Sequence, residues 1–283
     1  MYGFEEWKKK LIVVRGGGDI ATGTIYKLYQ CGFPLLVLEV PLPSCIRRTV
    51  SFCEAVTGEE VSVEGVSAKR AKNAGEAYGI YMEGKIPVLA DPEGQCIKEY
   101  SPAVVVDGIL AKKNLGTAIT DAPIVIGLGP GFTAGEDVHA VIETKRGHRL
   151  GRVIYKGSAA ANTGIPGVIA GYGKERVIHA PESGRLHIIK EIGEETKQGE
   201  SIAEIVQKTG KEEKVIPVRA SISGIVRGMI REGYPVTKGL KIADIDPRIQ
   251  EKENCRLISD KARCVAGGVL EAILHCGKSF EES

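Results

Sequence analysis

The sequence predicts an α/β fold in which a Rossmann-like, mostly parallel sheet domain carries an inserted small all-β domain. A strand, a glycine turn, a helix and a second strand follow one another over residues 11–39, and one segment recurs 40 positions later between residues 180 and 245. A chain of 283 residues has the length of two domains. We therefore expect a first domain of residues 1–175, to which a C-terminal helix within 249–283 returns, and a second domain of residues 176–248.

The first glycine turn follows a short apolar run, residues 11–14, that suits a strand buried on both faces. Helical spacing comes next, and residues 35–40 supply the second strand. Gly16, Gly18 and Ala21 satisfy the pattern G-x-G-x-x-[GA] between a strand and a helix. Small residues let backbone N–H groups approach a phosphate, and a helix amino terminus adds about half a positive charge. The turn is therefore interpreted as an anion site.

Further candidates for a cofactor site are Gly17 and Asp19 within the turn and the charged residues that follow it. Glu39 ends the second strand where an acidic residue would hydrogen-bond a ribose, whereas Arg47 and Arg48 beyond it could hold a further phosphate. A carboxylate at Asp19 would repel a phosphate unless it points away or caps the helix. The alternative is a glycine-rich turn that only packs a helix on a sheet.

The middle of the first domain is predicted as short alternating elements. They are a helix over 49–56, a strand over 61–66, a helix over 67–82 and strands over 86–90 and 103–106. Asp91 and Asp107 follow the last two strands, and Lys112 comes soon after. Because parallel strands end at the same edge of a sheet, these residues are expected around one crevice with the first glycine turn. The alternative is that the aspartates belong to turns or caps and that the lysine is solvated.

A second glycine loop follows a strand over residues 123–126 and contains Gly127, Gly129 and Gly131. Each glycine loses much conformational entropy on ordering, which favours a ligand at two such loops over packing alone. The expected ligand carries more than one phosphate, or a phosphate and a second polar group. The next hairpin has a cationic turn at residues 144–152, which either reaches over the crevice or is solvated.

An internal repeat defines the second domain, since residues 180–205 align without gaps to residues 220–245. Each half is a set of short strands with glycine turns, so the two halves should interlock about a pseudo-twofold axis into a small antiparallel barrel. This pattern resembles the biotinyl and lipoyl carrier domains, whose fold is a barrel-sandwich hybrid. Lys208 and Lys211, on the hairpin where those domains carry a modified lysine, lack the carrier sequence. The domain is therefore interpreted as structural or as a partner surface.

A C-terminal helix is predicted over residues 259–274 from an apolar stripe at helical spacing, with Ser259 or Asp260 as its cap. Its small apolar face is expected to pack closely on the first domain. That domain would then be discontinuous in sequence.

Composition and charge exclude several classes of function. The formal charge is +2, from 38 basic and 36 acidic residues, which is too balanced for a protein of nucleic acids or membrane surfaces. Nothing resembles a targeting or membrane-spanning segment, so a cytoplasmic protein is expected. The seven cysteines form no C-x-x-C pair and the five histidines show no ligand spacing, so neither a disulfide framework nor a metal site is expected.

Cys45 and Cys53 are the candidate catalytic residues, because they flank Arg47 and Arg48. Nearby cations favour a thiolate, the form that persulfide or selenide chemistry requires. The alternative is that both are buried, inert thiols.

The order of five motifs resembles the YqeB family, the accessory proteins of selenium-dependent molybdenum hydroxylases. The motifs are RGGGDIATG at 15–23, IRRTVSFCEAV at 46–56, IGLGPGF at 126–132, VIETKRGH at 141–148 and DIDPR at 244–248. The resemblance implies a cytoplasmic role in maturing a molybdenum hydroxylase, with the hydroxylase apoenzyme as partner and a molybdopterin dinucleotide or selenium as the species handled. In general plan the chain is also similar to XdhC-type maturation factors.

Three functions stay open from the sequence. The first is a non-redox maturation protein that holds a molybdopterin-type cofactor, or another phosphate-bearing small molecule, between the two glycine loops. The second is an oxidoreductase that uses NAD(P), with Glu39 on the ribose. The third is a non-catalytic scaffold whose second domain binds the hydroxylase. Whether the chain catalyses a reaction, and whether it forms a homo-oligomer, are also open.

Overall fold

The computed structural model describes residues 2–164, 167–210 and 212–281. It divides into two compact units. The sheet unit comprises Met1–Pro43, Ser51–Thr163 and Ile258–Ser283, and the β unit comprises Ser44–Val50 and Gly164–Leu257. Residues 44–50, which the sequence analysis placed in the first domain, thus belong to the β unit. Lys211 lies outside the described residues.

Among the described residues of the sheet unit, nine strands form one mixed sheet in the order β10-β9-β7-β6-β1-β2-β5-β4-β3. The strands are β1 (Ile12–Arg15), β2 (Leu35–Glu39), β3 (Glu60–Val63), β4 (Val66–Ala71), β5 (Ile86–Ala90), β6 (Val104–Asp107), β7 (Ile124–Leu128), β9 (Ala140–Ile142) and β10 (Val153–Ile154). Two short strands, β8 (Thr133–Ala134) and β11 (Gly157–Ser158), pair separately. The pairs from β9 to β4 are parallel, whereas β10 on β9 and β3 on β4 are antiparallel.

The helices of the sheet unit lie between these strands or at the chain ends. They are α1 (Phe4–Lys10), α2 (Asp19–Gln30), α3 (Ala55–Gly58), α4 (Ala74–Met82), α5 (Gln95–Tyr100) and α6 (Asp260–Glu281). The helix predicted over 67–82 is wrong in its first half, because residues 66–71 form β4 between β3 and β5. The Asn73 side chain begins α4 by accepting a hydrogen bond from the Glu76 backbone N–H at 3.1 Å.

Helix α6 packs on α2 at a contact that only glycine permits. A Cβ at Gly23 would lie 2.7 Å from the Ala262 backbone. Ser259 caps α6, because its hydroxyl accepts the Ala262 N–H at 3.2 Å. On the sheet, Trp7 is fully buried against the rings of Tyr78 and Tyr100. The last helix of the chain, α6, therefore packs within the sheet unit.

The β unit contains two four-stranded antiparallel sheets among its described residues, in the orders β12-β19-β17-β14 and β16-β15-β13-β18. The strands are β12 (Val177–His179), β13 (Gly184–Ile188), β14 (Glu195–Thr196), β15 (Ser201–Thr209), β16 (Glu212–Arg219), β17 (Gly224–Met229), β18 (Pro235–Val236) and β19 (Lys241–Asp246). Each repeat half gives a strand to the other, since β13 pairs with β18 and β14 with β17.

The predicted fold class, a Rossmann-like mostly parallel sheet domain with an inserted barrel-sandwich hybrid domain, is wrong. The large sheet is mixed, because antiparallel strands close it at both edges. The β unit has two separate antiparallel sheets in place of one small barrel. No helix among the described residues is both long and apolar enough to cross a membrane.

Candidate functional site

The loops after the parallel strands lie at one edge of the sheet, which we call the carboxyl edge. It carries the first glycine turn after β1, Glu39 at the end of β2, a loop of residues 108–117 after β6, and the second glycine loop after β7. Most of the predicted site residues of the sheet unit therefore fall at this edge, as the parallel pairing requires.

Two of the three glycines in the first turn are needed for packing. A Cβ at Gly16, where φ is +88°, would lie 3.0 Å from the Ile109 backbone, and one at Gly17 would lie 2.8 Å from the Cys53 backbone nitrogen. A Cβ at Gly18 would meet nothing within 4 Å. Open space for a ligand is thus found at Gly18, where α2 begins.

Glu39 bonds to the glycine turn itself. Its Oε2 accepts the Gly17 N–H and its Oε1 accepts the Val40 N–H, each at 2.8 Å. Burial raises the pKa of this carboxyl above its ordinary value, although the two N–H groups act in the opposite direction. The Glu39 carboxylate therefore already accepts the Gly17 N–H, one of the backbone donors that the sequence analysis assigned to a phosphate.

The amino terminus of α2 is otherwise open. Its N-cap residue is Gly18, which supplies no side chain to bond the first-turn N–H groups. Asp19 is the first helical residue and is half-buried, while Ala21 is fully buried and faces Gly108, whose Cβ would lie 2.9 Å away. Ala21 is thus a packing residue. The space in front of Gly18 is the part of the motif that a ligand could fill.

Lys261, the second residue of α6, contributes charge to the same edge. Burial lowers the pKa of its amine, and the charges of Asp19 and Glu143 raise it, whereas Arg146 lowers it further. Helix α6 thus brings a partly buried ammonium group into the field of Asp19 at the start of α2. Sequence reasoning missed this lysine, because its proximity to Asp19 depends on how the last helix packs on α2.

The second glycine loop is fully explained by packing. A Cβ at Gly127 would lie 2.5 Å from the Phe132 ring, and one at Gly129 would lie 2.6 Å from the Thr144 hydroxyl. At Gly131 a Cβ would lie 2.7 Å from the Lys113 backbone nitrogen. The entropy argument for a ligand at both loops therefore does not hold, since close contacts alone require these glycines.

The loop of residues 108–117 is held by a buried arginine that sequence reasoning missed. Arg15 is 3% exposed; its Nη1 donates to Thr117 Oγ1 at 2.5 Å and lies 3.8 Å from Asp107 Oδ2, and its Nη2 donates to the carbonyl of Pro92 at 3.1 Å. The Thr117 hydroxyl donates to Asp107 Oδ2 at 2.6 Å. Lys112 on this loop is exposed, with φ at +65°. The signal in the sequence was an arginine ending a buried apolar strand.

Arg47 and Arg48 lie in the β unit, where protein groups bond both guanidinium groups. Arg47 is 4% exposed and its Nη2 donates to the carbonyl oxygens of Asn254 and Leu257 at 3.0 and 3.3 Å. Arg48 donates to the Met229 carbonyl at 2.8 Å and pairs with a glutamate at 3.2 Å. Both arginines therefore stabilise the β unit, and the structure shows no free charge on Arg47 for a phosphate.

The two candidate cysteines lie in different units. Cys53 is fully buried in the sheet unit, with its backbone N–H bonded to the Gly17 carbonyl at 2.9 Å, and Cys45 is half-buried in the β unit. Burial removes Cys53 from the accessible surface that persulfide or selenide transfer needs. Across the described residues, no group of three or more histidine, cysteine, aspartate or glutamate side chains is placed to hold a metal ion.

A comparison with curated proteins identifies the family. The chain is 48% identical over 265 residues to the uncharacterized protein YqeB of Escherichia coli, an alignment that covers 94% of this chain and 47% of that protein. The chain belongs to the YqeB family. It spans about half the length of the curated relative it matches. No protein-family model matches the chain.

The matches among solved structures are distant. The ectoine utilization protein EutE (DoeB) of Ruegeria pomeroyi is 12% identical with a TM-score of 0.28, over 84% of this chain and 85% of that chain. A succinylglutamate desuccinylase/aspartoacylase of Rhodobacter sphaeroides is 15% identical with a TM-score of 0.30, over the same shares. Scores this low carry no argument about function, so no residue role is taken from these proteins.

Proposed function

We propose that the sheet unit binds a phosphate-bearing small molecule at the amino terminus of α2. The observation that carries this proposal is the open, uncapped helix start at Gly18. Lys261 adds a half-buried positive charge that interacts with Asp19, and its neighbour Ala262 packs on Gly23 of α2. A helix amino terminus attracts anions through its free N–H groups and its dipole, and a nearby cation adds to that attraction. Lys112, exposed on the neighbouring loop, is a further charge partner.

We propose further that this ligand is a molybdopterin-type cofactor and that the chain assists in maturing a selenium-dependent molybdenum hydroxylase. This role comes from the resemblance to the YqeB family, and the apoenzyme of the hydroxylase is the partner it implies. The geometry of the carboxyl edge is compatible with a binding protein and assigns no reaction.

The structure offers less support for an oxidoreductase that uses NAD(P). Glu39 would have to release the N–H groups of Gly17 and Val40 before it could accept a ribose hydroxyl. The chain has a Tyr-x-x-x-Lys spacing twice, at Tyr81–Lys85 and at Tyr234–Lys238. Lys85 precedes β5 at the opposite edge of the sheet and pairs with two glutamates. Tyr234 and Lys238 lie in the β unit, where Lys238 pairs with Glu182 at 2.9 Å.

The first experiment is native mass spectrometry of the freshly purified protein, followed by denaturation and identification of any released small molecule. We expect a phosphate-bearing compound, and a pterin dinucleotide would support the maturation role. NAD or NADP would instead favour the oxidoreductase. A protein that releases nothing, and whose melting temperature does not change with a pterin dinucleotide, NAD, NADP or inorganic phosphate, would rule out the proposed binding.

Gly18→Asp separates binding from folding. Aspartate is a favoured N-cap residue, so this variant should be as stable as the native protein or a few tenths of a kcal/mol more stable. Its carboxylate would occupy the phosphate position and repel the ligand, so binding should be lost. Gly18→Ala is the matched control, since a Cβ meets nothing there, and it should bind normally. Unchanged binding by Gly18→Asp would place the ligand elsewhere.

The maturation role is tested in cells by co-expression with a selenium-dependent molybdenum hydroxylase. Native protein and Gly18→Ala should support hydroxylase activity and cofactor content, while Gly18→Asp should not. Full activity with Gly18→Asp at normal protein levels would contradict a maturation role that depends on this site.

A further inference from the structure

A cleft of about 640 Å³ lies on the hairpin that joins β9 to β10 and on the segment that follows it. We call it the cationic cleft, because its lining includes Lys145, Arg146, His148, Arg149, Arg152 and Lys156. All six side chains are exposed. The volume falls within the range of about 300–1,000 Å³ that is usual for small-molecule sites.

Most of this positive charge is not neutralised by the protein. Among the residues that the structure describes, the side chains of Lys145, Arg149, Arg152 and Lys156 form no hydrogen bond or ion pair. Arg146 alone is paired, with its two guanidinium nitrogens 2.7 and 3.2 Å from the carboxylate of Asp260. Four cations therefore face the cleft without an acidic partner.

Glu143 lines the same cleft but does not compete for these cations. It is 5% exposed, and its two oxygens accept the backbone N–H groups of Lys145 at 2.7 Å and Ala160 at 2.8 Å. The carboxylate thus ties the start of the hairpin to the segment behind it. It fixes the backbone from which the cations project.

Helix α6 holds the hairpin from the other side. A Cβ at Gly151, where φ is +76°, would lie 2.5 Å from the Cys264 carbonyl oxygen, and the Cys264 thiol donates to the Leu150 carbonyl at 3.1 Å. The Arg146–Asp260 pair adds a third link to α6. A backbone held at several points lowers the entropy cost of presenting the cations to a ligand.

We propose that the cationic cleft binds a small molecule with two or three adjacent phosphate groups. A phosphate group carries about 1.5 to 2 negative charges at neutral pH, so the four unpaired cations match two such groups better than one. Arg149 and Arg152 supply planar forks that bind phosphate oxygens in pairs. This proposal does not rest on the proposed function, because none of its cations lies at the start of α2, although Arg146 and Glu143 of the cleft are also charged neighbours of Lys261.

The test is isothermal titration calorimetry of the full chain with inorganic phosphate, diphosphate and tripolyphosphate. We expect one site with this selectivity, at which diphosphate or tripolyphosphate binds at least tenfold more tightly than phosphate and with affinity that falls as salt is raised. Because the start of α2 is the other proposed phosphate site, the number of ligands per chain is measured in the Gly18→Asp variant. Equal affinity for all three, or heat that does not saturate at one ligand per chain, would overturn the proposal.

A double charge reversal, Arg149→Glu with Arg152→Glu, should weaken diphosphate binding at least tenfold. Lys9→Glu with Lys98→Glu is the matched control, because it makes the same change in net charge at exposed lysines of the sheet unit away from the cleft. The control should bind within twofold of the native protein. Equal loss in both double variants would mean a general charge effect and no site, and native affinity in the first would exclude the cleft.

The two proposals are separated by Gly18→Asp in the same titration. Diphosphate binding to the cleft should not change in that variant, whereas the ligand at the start of α2 should be lost. Fluorescence of the single tryptophan, Trp7, which is buried in the sheet unit, confirms that each variant is folded. Loss of diphosphate binding in a folded Gly18→Asp protein would place the diphosphate at α2 and overturn the second site.

Discussion

Replacing Arg15 by methionine should strongly destabilise the sheet unit. The guanidinium group is 3% exposed and bonds Thr117 and the Pro92 carbonyl, next to the buried carboxylate of Asp107. Methionine fills most of the volume but leaves that carboxylate without a cation and the carbonyl without a donor. Removing one partner of a buried ion pair costs about 3–5 kcal/mol.

Unfolding in urea, followed by the fluorescence of Trp7, measures this effect on the sheet unit alone, because the only tryptophan of the chain lies in that unit. With an m value of about 2 kcal/mol/M, the expected loss lowers the urea midpoint by about 1.5–2.5 M. The β unit contains no tryptophan and so does not contribute to the signal.

Two further variants decide whether charge is the cause. Arg70→Met, at an exposed arginine of β4, should shift the midpoint by less than the equivalent of about 0.5 kcal/mol. Adding Asp107→Asn to Arg15→Met removes the unpaired charge and should recover part of the stability. A midpoint for Arg15→Met equal to that of Arg70→Met would refute the role given to this ion pair.

Three more outcomes follow from the structure. Gly23→Leu should cost at least about 1–3 kcal/mol in the same urea assay, because its side chain would overlap Ala262 of α6. Burial raises the pKa of Glu39, so the protonated carboxyl stabilises the folded protein at low pH, and this stabilisation is lost as the pH rises through the pKa that Glu39 has in the folded state. Urea midpoints measured at several pH values should therefore show the native protein losing stability relative to Glu39→Gln above about pH 4.5. The hydrogen bond to Glu232 raises the pKa of His187 above 6.5, and NMR titration should show that pKa falling in Glu232→Gln.

The helices and strands that could be predicted from the sequence are those whose buried residues follow a regular local pattern of apolar positions. The apolar runs of β1 and β2, the glycine turn and α2 between them, and the α6 stripe are visible in the sequence, and the structure has them within a few residues. The same reasoning fails for residues 66–71, which read VSAKRA: two adjacent charged residues break the polar–apolar alternation, and pairing with β3 and β5 makes the segment a strand.

Long-range pairing also explains why the predicted fold class was wrong. The antiparallel edges of the large sheet are formed by the short strands β3 and β10, which carry no signal of direction in the sequence. The repeat in the second half of the chain was visible, and so was the exchange of strands it implied, but the distribution of those strands over two sheets depends on tertiary packing.

The same limit applies to the candidate site, and the glycines show why. A glycine motif is equally consistent with a backbone that approaches a ligand and a backbone that approaches another part of the protein. Gly17 and Gly131 are of the second kind, because the Cys53 and Lys113 backbones fill the space where a Cβ would stand. At Gly18 that space is open and lies at an uncapped helix start, which is where we propose that the ligand binds. Gly18→Ala should therefore be tolerated, whereas Gly17→Ala should destabilise the sheet unit. The proposed site thus involves fewer residues than the glycine motif that indicated it.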